Sequence, residues 1–236
     1  MSAELLKKYM EASNFSLTDE QVLKFLKFEA LLVSWNKNMN LTGITESEAI
    51  YEKHFVDSLT CFMTDHIKDH MKIIDVGTGA GFPGVPIKIY NPTLSITLLD
   101  ALNKRLVFLQ KVSEDLALDG VDFLHGRAED YGQDENYRNQ YDIVVSRAVA
   151  DLAVLLEYCS PFLKINGYFI AQKGPKVFDE IKDAKEALLT LNLEVEAVIP
   201  IKTQSIKAHH LLIIKKIGET PSTYPRRAGK ALKKPL

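Results

Sequence analysis

Residues 73–86 read Ile73-Ile-Asp75-Val-Gly77-Thr-Gly79-Ala-Gly81-Phe82-Pro83-Gly84-Val-Pro86, an apolar strand that ends in an acid and runs straight into four glycines. Glycines at this density let a chain turn sharply off a strand and bring bare backbone against a ligand, because without a Cβ they reach φ > 0 at no steric cost. A nucleotide-like ligand is implied. A second apolar run, Leu94-Ser-Ile-Thr-Leu-Leu99, ends in Asp100 at the distance a second parallel strand needs after one crossover helix. An acid at that point can accept both hydrogen bonds of a ribose diol.

The glycine tract alone is ambiguous, since Gly79-Ala-Gly81-Phe-Pro-Gly84 also fits the dinucleotide pattern GxGxxG with Asp100 near the expected offset. Two details favour S-adenosylmethionine over NAD. Asp75 stands just before the glycines, where it can meet the amino-acid end of that cofactor directly or through water and where it would repel a pyrophosphate. Pro83 and Pro86 restrict the opening of the next helix and remove two N–H groups that would otherwise point at a phosphate. A nicotinamide enzyme and a purely structural glycine turn remain the alternatives.

The chain has 236 residues, 46% of them hydrophobic, enough for one α/β domain with an appendage. It contains no apolar run of about 18 residues and no apolar leader, so no membrane span or signal peptide is indicated and a cytoplasmic location is expected. Cys61 and Cys159 are the only cysteines, and their apolar surroundings favour reduced core thiols. The net charge of −2 conceals an asymmetry. In the last 22 residues Lys215, Lys216, Arg226, Arg227, Lys230, Lys233 and Lys234 face only Glu219, so a segment of +6 is joined to a remainder of −8. Such a tail is a candidate for a polyanion, although a solvated end is the plainer reading.

Three regions follow from the patterning: a helical extension over residues 1–70, a sheet domain over 71–217 and the basic tail over 218–236. Thr18-Asp-Glu-Gln21 forms a capping-box pattern, and Val22, Phe25, Leu26, Phe28, Leu32, Val33 and Trp35 mark an amphipathic helix that breaks at the polar stretch Asn36–Gly43. His66 and His70 have metal-ligand spacing but no third ligand nearby, so solvated histidines and no metal site are expected. Beyond residue 72 apolar runs alternate with helical patterns, giving strands at 72–76, 95–100, 121–125, 142–146 and 167–172, a helix around 177–191 and a closing pair at 194–199 and 210–214. Five strands plus a closing pair suit a class I S-adenosylmethionine-dependent methyltransferase, a Rossmann-like α/β fold with a mostly parallel seven-stranded sheet.

Ligands bind at the carboxyl ends of strands in such sheets. After the third strand comes Gly126-Arg-Ala128-Glu129-Asp130, where backbone and an acid could meet an adenine ring. After the fourth comes Ser146-Arg147-Ala148. An arginine leaving a buried strand needs an anionic or carbonyl partner, and a ligand role for Arg147 is favoured over an internal salt bridge.

With these residues in place the chain resembles the RsmG family, also called GidB, bacterial 16S ribosomal RNA guanine-N7 methyltransferases. The resemblance rests on Trp35-Asn-Lys-Asn-Met-Asn-Leu-Thr42, His54-Phe-Val-Asp-Ser-Leu59, Ile74 to Pro86, Gly126-Arg-Ala-Glu129, Ser146-Arg-Ala148 and Tyr224-Pro-Arg-Arg-Ala-Gly229. Ala231 stands where the family's terminal motif has a proline, which puts the rigidity of the tail in question. The resemblance implies that Gly77 and Phe82 lie along the cofactor, that Ala128 and Glu129 hold its adenosine end, and that Arg147 reaches the cofactor or the guanine as the catalytic residue. Asp75, Gly79 and Asp100 join the cofactor set on the physical argument above. The resemblance also places the Asn40-Leu-Thr42 loop and the basic tail, with Arg226, Arg227, Lys230 and Lys233, on the RNA side. It implies a monomer acting on 16S ribosomal RNA or the small ribosomal subunit at guanosine 527 of that RNA. The rivals are a non-catalytic RNA-binding assembly factor with a remnant cofactor pocket and an NAD-dependent oxidoreductase.

Overall fold

The computed structural model describes residues 2–147, 150–202 and 209–236. Helices α1 (Ala3–Ala12) and α2 (Asp19–Met39) open the chain. The capping box forms as expected, Thr18 Oγ1 accepting from Gln21 N–H while Gln21 Oε1 accepts from Thr18 N–H. Contrary to the expected break at Asn36, α2 runs on to Met39. Asn36 spends its side chain on Thr42 rather than on a turn of its own, and the helix stops where Asn40 takes the left-handed conformation at φ 51°. Two short helices, α3 (Ser47–Ile50) and α4 (Asp57–Leu59), flank a π-helical turn over Tyr51–Val56.

Seven strands follow: β1 (Lys72–Val76), β2 (Ser95–Asp100), β3 (Val121–His125), β4 (Tyr141–Arg147), β5 (Leu163–Lys173), β6 (Leu193–Ile201) and β7 (His209–Lys216). They form one sheet in the order β3-β2-β1-β4-β5-β7-β6, with β7 antiparallel to both neighbours and the rest parallel. The crossovers carry α5 (Gly84–Tyr90), α6 (Asn103–Leu116), α7 (Ala128–Tyr131) and α8 (Leu152–Cys159), and then α9 (Val177–Asp183) and α10 (Lys185–Thr190). The single helix expected over 177–191 is therefore two, parted at Ala184, whose φ −89°, ψ 10° departs from helical geometry. Helix α11 (Lys230–Lys233) ends the chain.

Side chains alternate across the sheet with period two, and each face has its own apolar layer. Ile73, Ile143 and Val145 share one layer with α1, α2, α5 and α6, whereas Ile74, Val76 and Val144 pack with α8, α9, α10 and Ala231. The helical extension is thus a wall of the sheet's own core. Phe28 of α2 and Phe55 of the π-helical turn lie 5.3 and 6.2 Å, centroid to centroid, from Phe82 of the glycine loop, and Phe28 also stacks on Phe108 of α6. Both cysteines are buried and free. Among the described residues no helix is long and apolar enough to cross a membrane.

Candidate active site

A cleft of about 440 Å3 opens over the carboxyl ends of β1, β2 and β4, lined in part by Gly77, Gly79, Phe82, Asp100 and Arg147. The parallel order puts these ends side by side: Asp75 pairs with Leu98 of β2 and with Val145 of β4. Gly79 sits at φ +61°, and a Cβ built there meets nothing closer than Gly77 O at 3.9 Å, so its open side belongs to the cleft. Gly84 is needed for another reason. A Cβ there would lie 2.6 Å from Leu98 and 2.9 Å from Asp75 Oδ2, and only glycine lets α5 start this close to the sheet. We expect Gly79→Ala to fold but to weaken adenosylhomocysteine binding by about 1–3 kcal/mol, roughly 5- to 150-fold in Kd, through a methyl group in ligand space. Calorimetry with that ligand checks it.

Asp75 is fully buried and does not line the cleft. Its Oδ2 accepts from Thr78 Oγ1–H and Gly84 N–H, both at 2.8 Å, so the side chain ties the glycine loop to α5. Its Oδ1 has no partner, and burial pushes its pKa up to about 6. A buried carboxylate oxygen without a donor is suited to a cationic amine close by. Asp100 lines the cleft and accepts from Gly79 N–H at 2.9 Å, Leu102 N–H at 2.8 Å and the Arg105 guanidinium at 3.1 Å. Its bonds to the loop backbone hold the two strand ends at fixed spacing. The third donor, Arg105, is a partly exposed side chain that a diol could replace. Unpaired buried oxygen, open glycine backbone and strand-end acid together fit the amino-acid and ribose ends of S-adenosylmethionine.

Arg147 crosses from β4 to the helical extension. Its Nη1 donates to Asp57 Oδ2 at 2.9 Å and to Lys53 O at 3.1 Å, its Nη2 lies 3.2 Å from His54 Nδ1, and its guanidinium sits 5.0 Å over the Phe82 ring. Burial alone would raise the Asp57 pKa, but His209 and Arg147 outweigh it and hold the carboxyl below its ordinary value. His54 stacks on Phe82 at 4.4 Å, and burial, with the Arg147 charge beside it, pushes its pKa down to about 4. A guanidinium has only donors, so Nδ1 of His54 accepts and the neutral ring carries its proton on Nε2, which lies 2.8 Å from Thr42 Oγ1.

The model of the family described as GidB, rRNA small subunit methyltransferase G, matches residues 21–212 of this chain. The chain belongs to this family. It is similar to the curated ribosomal RNA small subunit methyltransferase G of Alkaliphilus oremlandii, 50% identical over 99% of this chain and 98% of that one. It is also similar to that of Clostridium tetani, 50% identical over 90% of this chain and 89% of that one. Among solved structures, an S-adenosylmethionine-dependent methyltransferase from Aquifex aeolicus superposes with a TM-score of 0.57 at 16% identity, covering 75% of this chain and 97% of that one. TYW2 of M. jannaschii in complex with AdoMet gives 0.54 at 16% identity, covering 74% and 80%. These two show the fold, a class I methyltransferase sheet.

Several expected placements change within this family fold. Ala128 and Glu129 are buried outside the cleft lining, and the Glu129 carboxylate faces the tail, where Oε1 accepts from Gly229 N–H at 2.9 Å. Arg147 lines the cleft yet also makes the internal ion pair that was disfavoured, because Asp57, 90 positions earlier, is buried against it. Arg226 is no free phosphate contact. Its guanidinium and its own N–H bind Glu157, a carboxylate buried in α8, at 2.7 to 3.0 Å for three of the four bonds. Lys216 is likewise buried, donating to Asn139, Ser160 O and Leu163 O. Arg227, Lys230 and Lys233 are exposed, as is Asn40 at the C-cap of α2. The tail is held despite its alanine: Ala231 is 1% exposed, and Arg138 donates to the carbonyls of Thr220 and Tyr224. His66 is bound to Glu196 at 2.8 Å and stacked on Tyr168, not simply solvated. Among the described residues no group of three or more His, Cys, Asp or Glu is placed to hold a metal. Ala148 lies outside the described residues.

Thr42, expected with its loop on the RNA side, lies in the cleft lining, whereas the sequence reading assigned no site role to His54, Asp57 or Arg105. A histidine and an acid three residues apart on an otherwise apolar helical stretch, His54-Phe-Val-Asp57, were the available signal, since buried polar groups need partners.

Proposed function

We propose that this methyltransferase acts on N7 of a guanine in small-subunit ribosomal RNA, guanosine 527 by the family resemblance, and that it does so without a general base. The engagement of the cleft's titratable side chains carries this reading. His54 accepts at one ring nitrogen and donates at the other, while Asp100 is bonded to two loop amides and Arg105. Guanine N7 suits such a site because it offers an in-plane lone pair and has no proton to lose. S-adenosylmethionine, when bound, supplies an electrophilic methyl group on a sulfonium. Gly77, Gly79 and Asp100 would hold it, with Asp75 neutralising its amine from behind the loop. Phe82, packed on Phe28 and Phe55, forms an apolar wall that excludes water, and positioning then supplies most of the rate. Arg147 is tied to Asp57 and Lys53 O, which keeps its cation off N7, where positive charge would oppose attack.

The pH profile tests the chemistry. His54 near 4 and Asp75 near 6 both titrate below the working range. The single-turnover rate should therefore vary by less than about twofold between about pH 6.5 and 8.5. A rise of one log unit per pH unit would put a base in the mechanism. Mapping the methyl group on small-subunit RNA from cells that lack the modification tests the position directly.

The exposed tail cations support the RNA side. Arg227, Lys230 and Lys233 lie on a segment held to the catalytic domain through Glu129, Arg138 and Glu157, so phosphate contacts made there are fixed relative to the cleft. Replacing all three with alanine should flatten the slope of log K against log salt by roughly 2, about 0.7 per lost contact on single-stranded RNA, with adenosylhomocysteine affinity kept within about twofold. Filter binding across a salt series reads the slope, and an unchanged slope removes the tail from the RNA interface.

A further inference from the structure

Asn36 holds the main chain of Thr42 from both sides, its Nδ2 donating to Thr42 O at 2.8 Å and its Oδ1 accepting from Thr42 N–H at 2.9 Å. Thr42 is thereby fixed where the loop after α2 meets the cleft, whose lining it joins. A threonine hydroxyl has two lone pairs and one proton. Ile44 N–H donates to Oγ1 at 3.0 Å, and His54 Nε2–H, by the tautomer that Arg147 imposes, donates to it at 2.8 Å. Both lone pairs are taken, and only the proton is left.

We infer that Thr42 is a specificity residue of this cleft, its hydroxyl donating to the 6-oxo group of the purine that is methylated. Guanine presents N7 and O6 side by side on one edge, both acceptors, whereas adenine presents an acceptor at N7 and an amino donor at C6. A hydroxyl able only to donate is satisfied by the first pattern and opposed by the second. Its polarity is set from a distance: Arg147 donates to His54, His54 donates to Thr42, and Thr42 has nothing left but to donate onward. Reversing that order would require an acceptor on the guanidinium, which has none. The Asn36–Thr42 clamp and the His54 helix thus acquire one joint task, fixing the position and direction of a single proton.

The inference rests on the guanine-N7 reading, and the test separates the two. The full chain and its Thr42→Val and Thr42→Ser variants are given small-subunit RNA ligated to carry either guanosine or 2-aminopurine riboside, which keeps N7 but lacks O6, at the target position. Thr42→Val also takes the acceptor from Ile44 N–H and His54 Nε2–H, a loss common to both substrates, so the expected result is a guanosine to 2-aminopurine ratio of kcat/KM lowered about tenfold, the loss of one hydrogen bond, while Thr42→Ser retains the wild-type ratio. The comparison of ratios cancels the different nucleophilicity of the two bases. Adenosylhomocysteine affinity should fall by less than the ratio does. If valine prevents folding, Thr42→Ala gives the same comparison, because Asn36 still holds the main chain and what Ile44 and His54 lose falls equally on both substrates. A guanosine to 2-aminopurine ratio that is the same in variant and wild type, or a loss that appears wholly in adenosylhomocysteine Kd, overturns the assignment. Borohydride and aniline cleavage reports whether the wild-type methyl is on N7. A methyl found elsewhere sinks both readings, whereas N7 methylation with an unmoved ratio sinks only the role of Thr42.

Discussion

Arg226→Ala is expected to destabilise the protein by about 3–5 kcal/mol, although the residue stands in a basic tail outside the sheet domain. The reason is Glu157, whose side chain is 1% exposed within α8 and whose two oxygens are shared by the Arg226 guanidinium. Removing the cation strands a carboxylate among apolar residues, with the Arg226 N–H as its remaining donor. For a chain of this size the loss corresponds to roughly 6–20 °C in Tm. The double variant Glu157→Gln with Arg226→Met, which removes the buried charge together with its partner, should recover most of it. Denaturant midpoints for the two variants decide the matter. A loss for Arg226→Ala below about 1 kcal/mol would mark the pair as an ordinary surface bridge.

Arg147→Ala should lower single-turnover methyl transfer by about a hundredfold or more at saturating cofactor, since a site that works by positioning is sensitive to displacements of an ångström. Stability should fall as well, because Asp57 is buried and the same substitution removes the donor from His54 Nδ1. Arg147→Lys keeps a cation for Asp57 but cannot serve Lys53 O, Asp57 and His54 with a planar fork. Lysine is therefore expected to restore the melting temperature more completely than the rate. Full activity in the alanine variant would remove Arg147 from the reaction.

The sheet was legible because buried parallel strands are written as nearly continuous apolar runs, and the runs ending at Val76 and Asp100 are each closed by a polar or glycine-rich turn. Gly77, Gly79, Phe82, Asp100 and Arg147 could be gathered for the same reason, all following strand ends that the parallel order brings together. Ion-pair partners were not legible. Asp57 and Arg147 are 90 positions apart, Glu157 and Arg226 are 69 apart, and neither pair leaves a local pattern. Charge counting therefore read Arg226 and Lys216 as free cations, although three-dimensional neighbours had already claimed them. Helix α2 outran its expected end because Asn36, a turn former in isolation, found its hydrogen-bond partners six residues away across the loop.

The shared core of the helical extension and the sheet has a consequence for the chain as it is made. Domains form from the N-terminus during synthesis, yet the apolar face of α2 meets both Phe82 and Phe108 only after α6 has emerged. Until then the extension has only its own contacts, such as Tyr9 on Tyr51 and Phe25 and Phe28 on Phe55, and the side of α2 that will face Phe82 and Phe108 stays in water. Glu157 waits longer still, because Arg226 lies 69 positions further along the chain, and a carboxylate made for the interior stays in water until that segment has been synthesised.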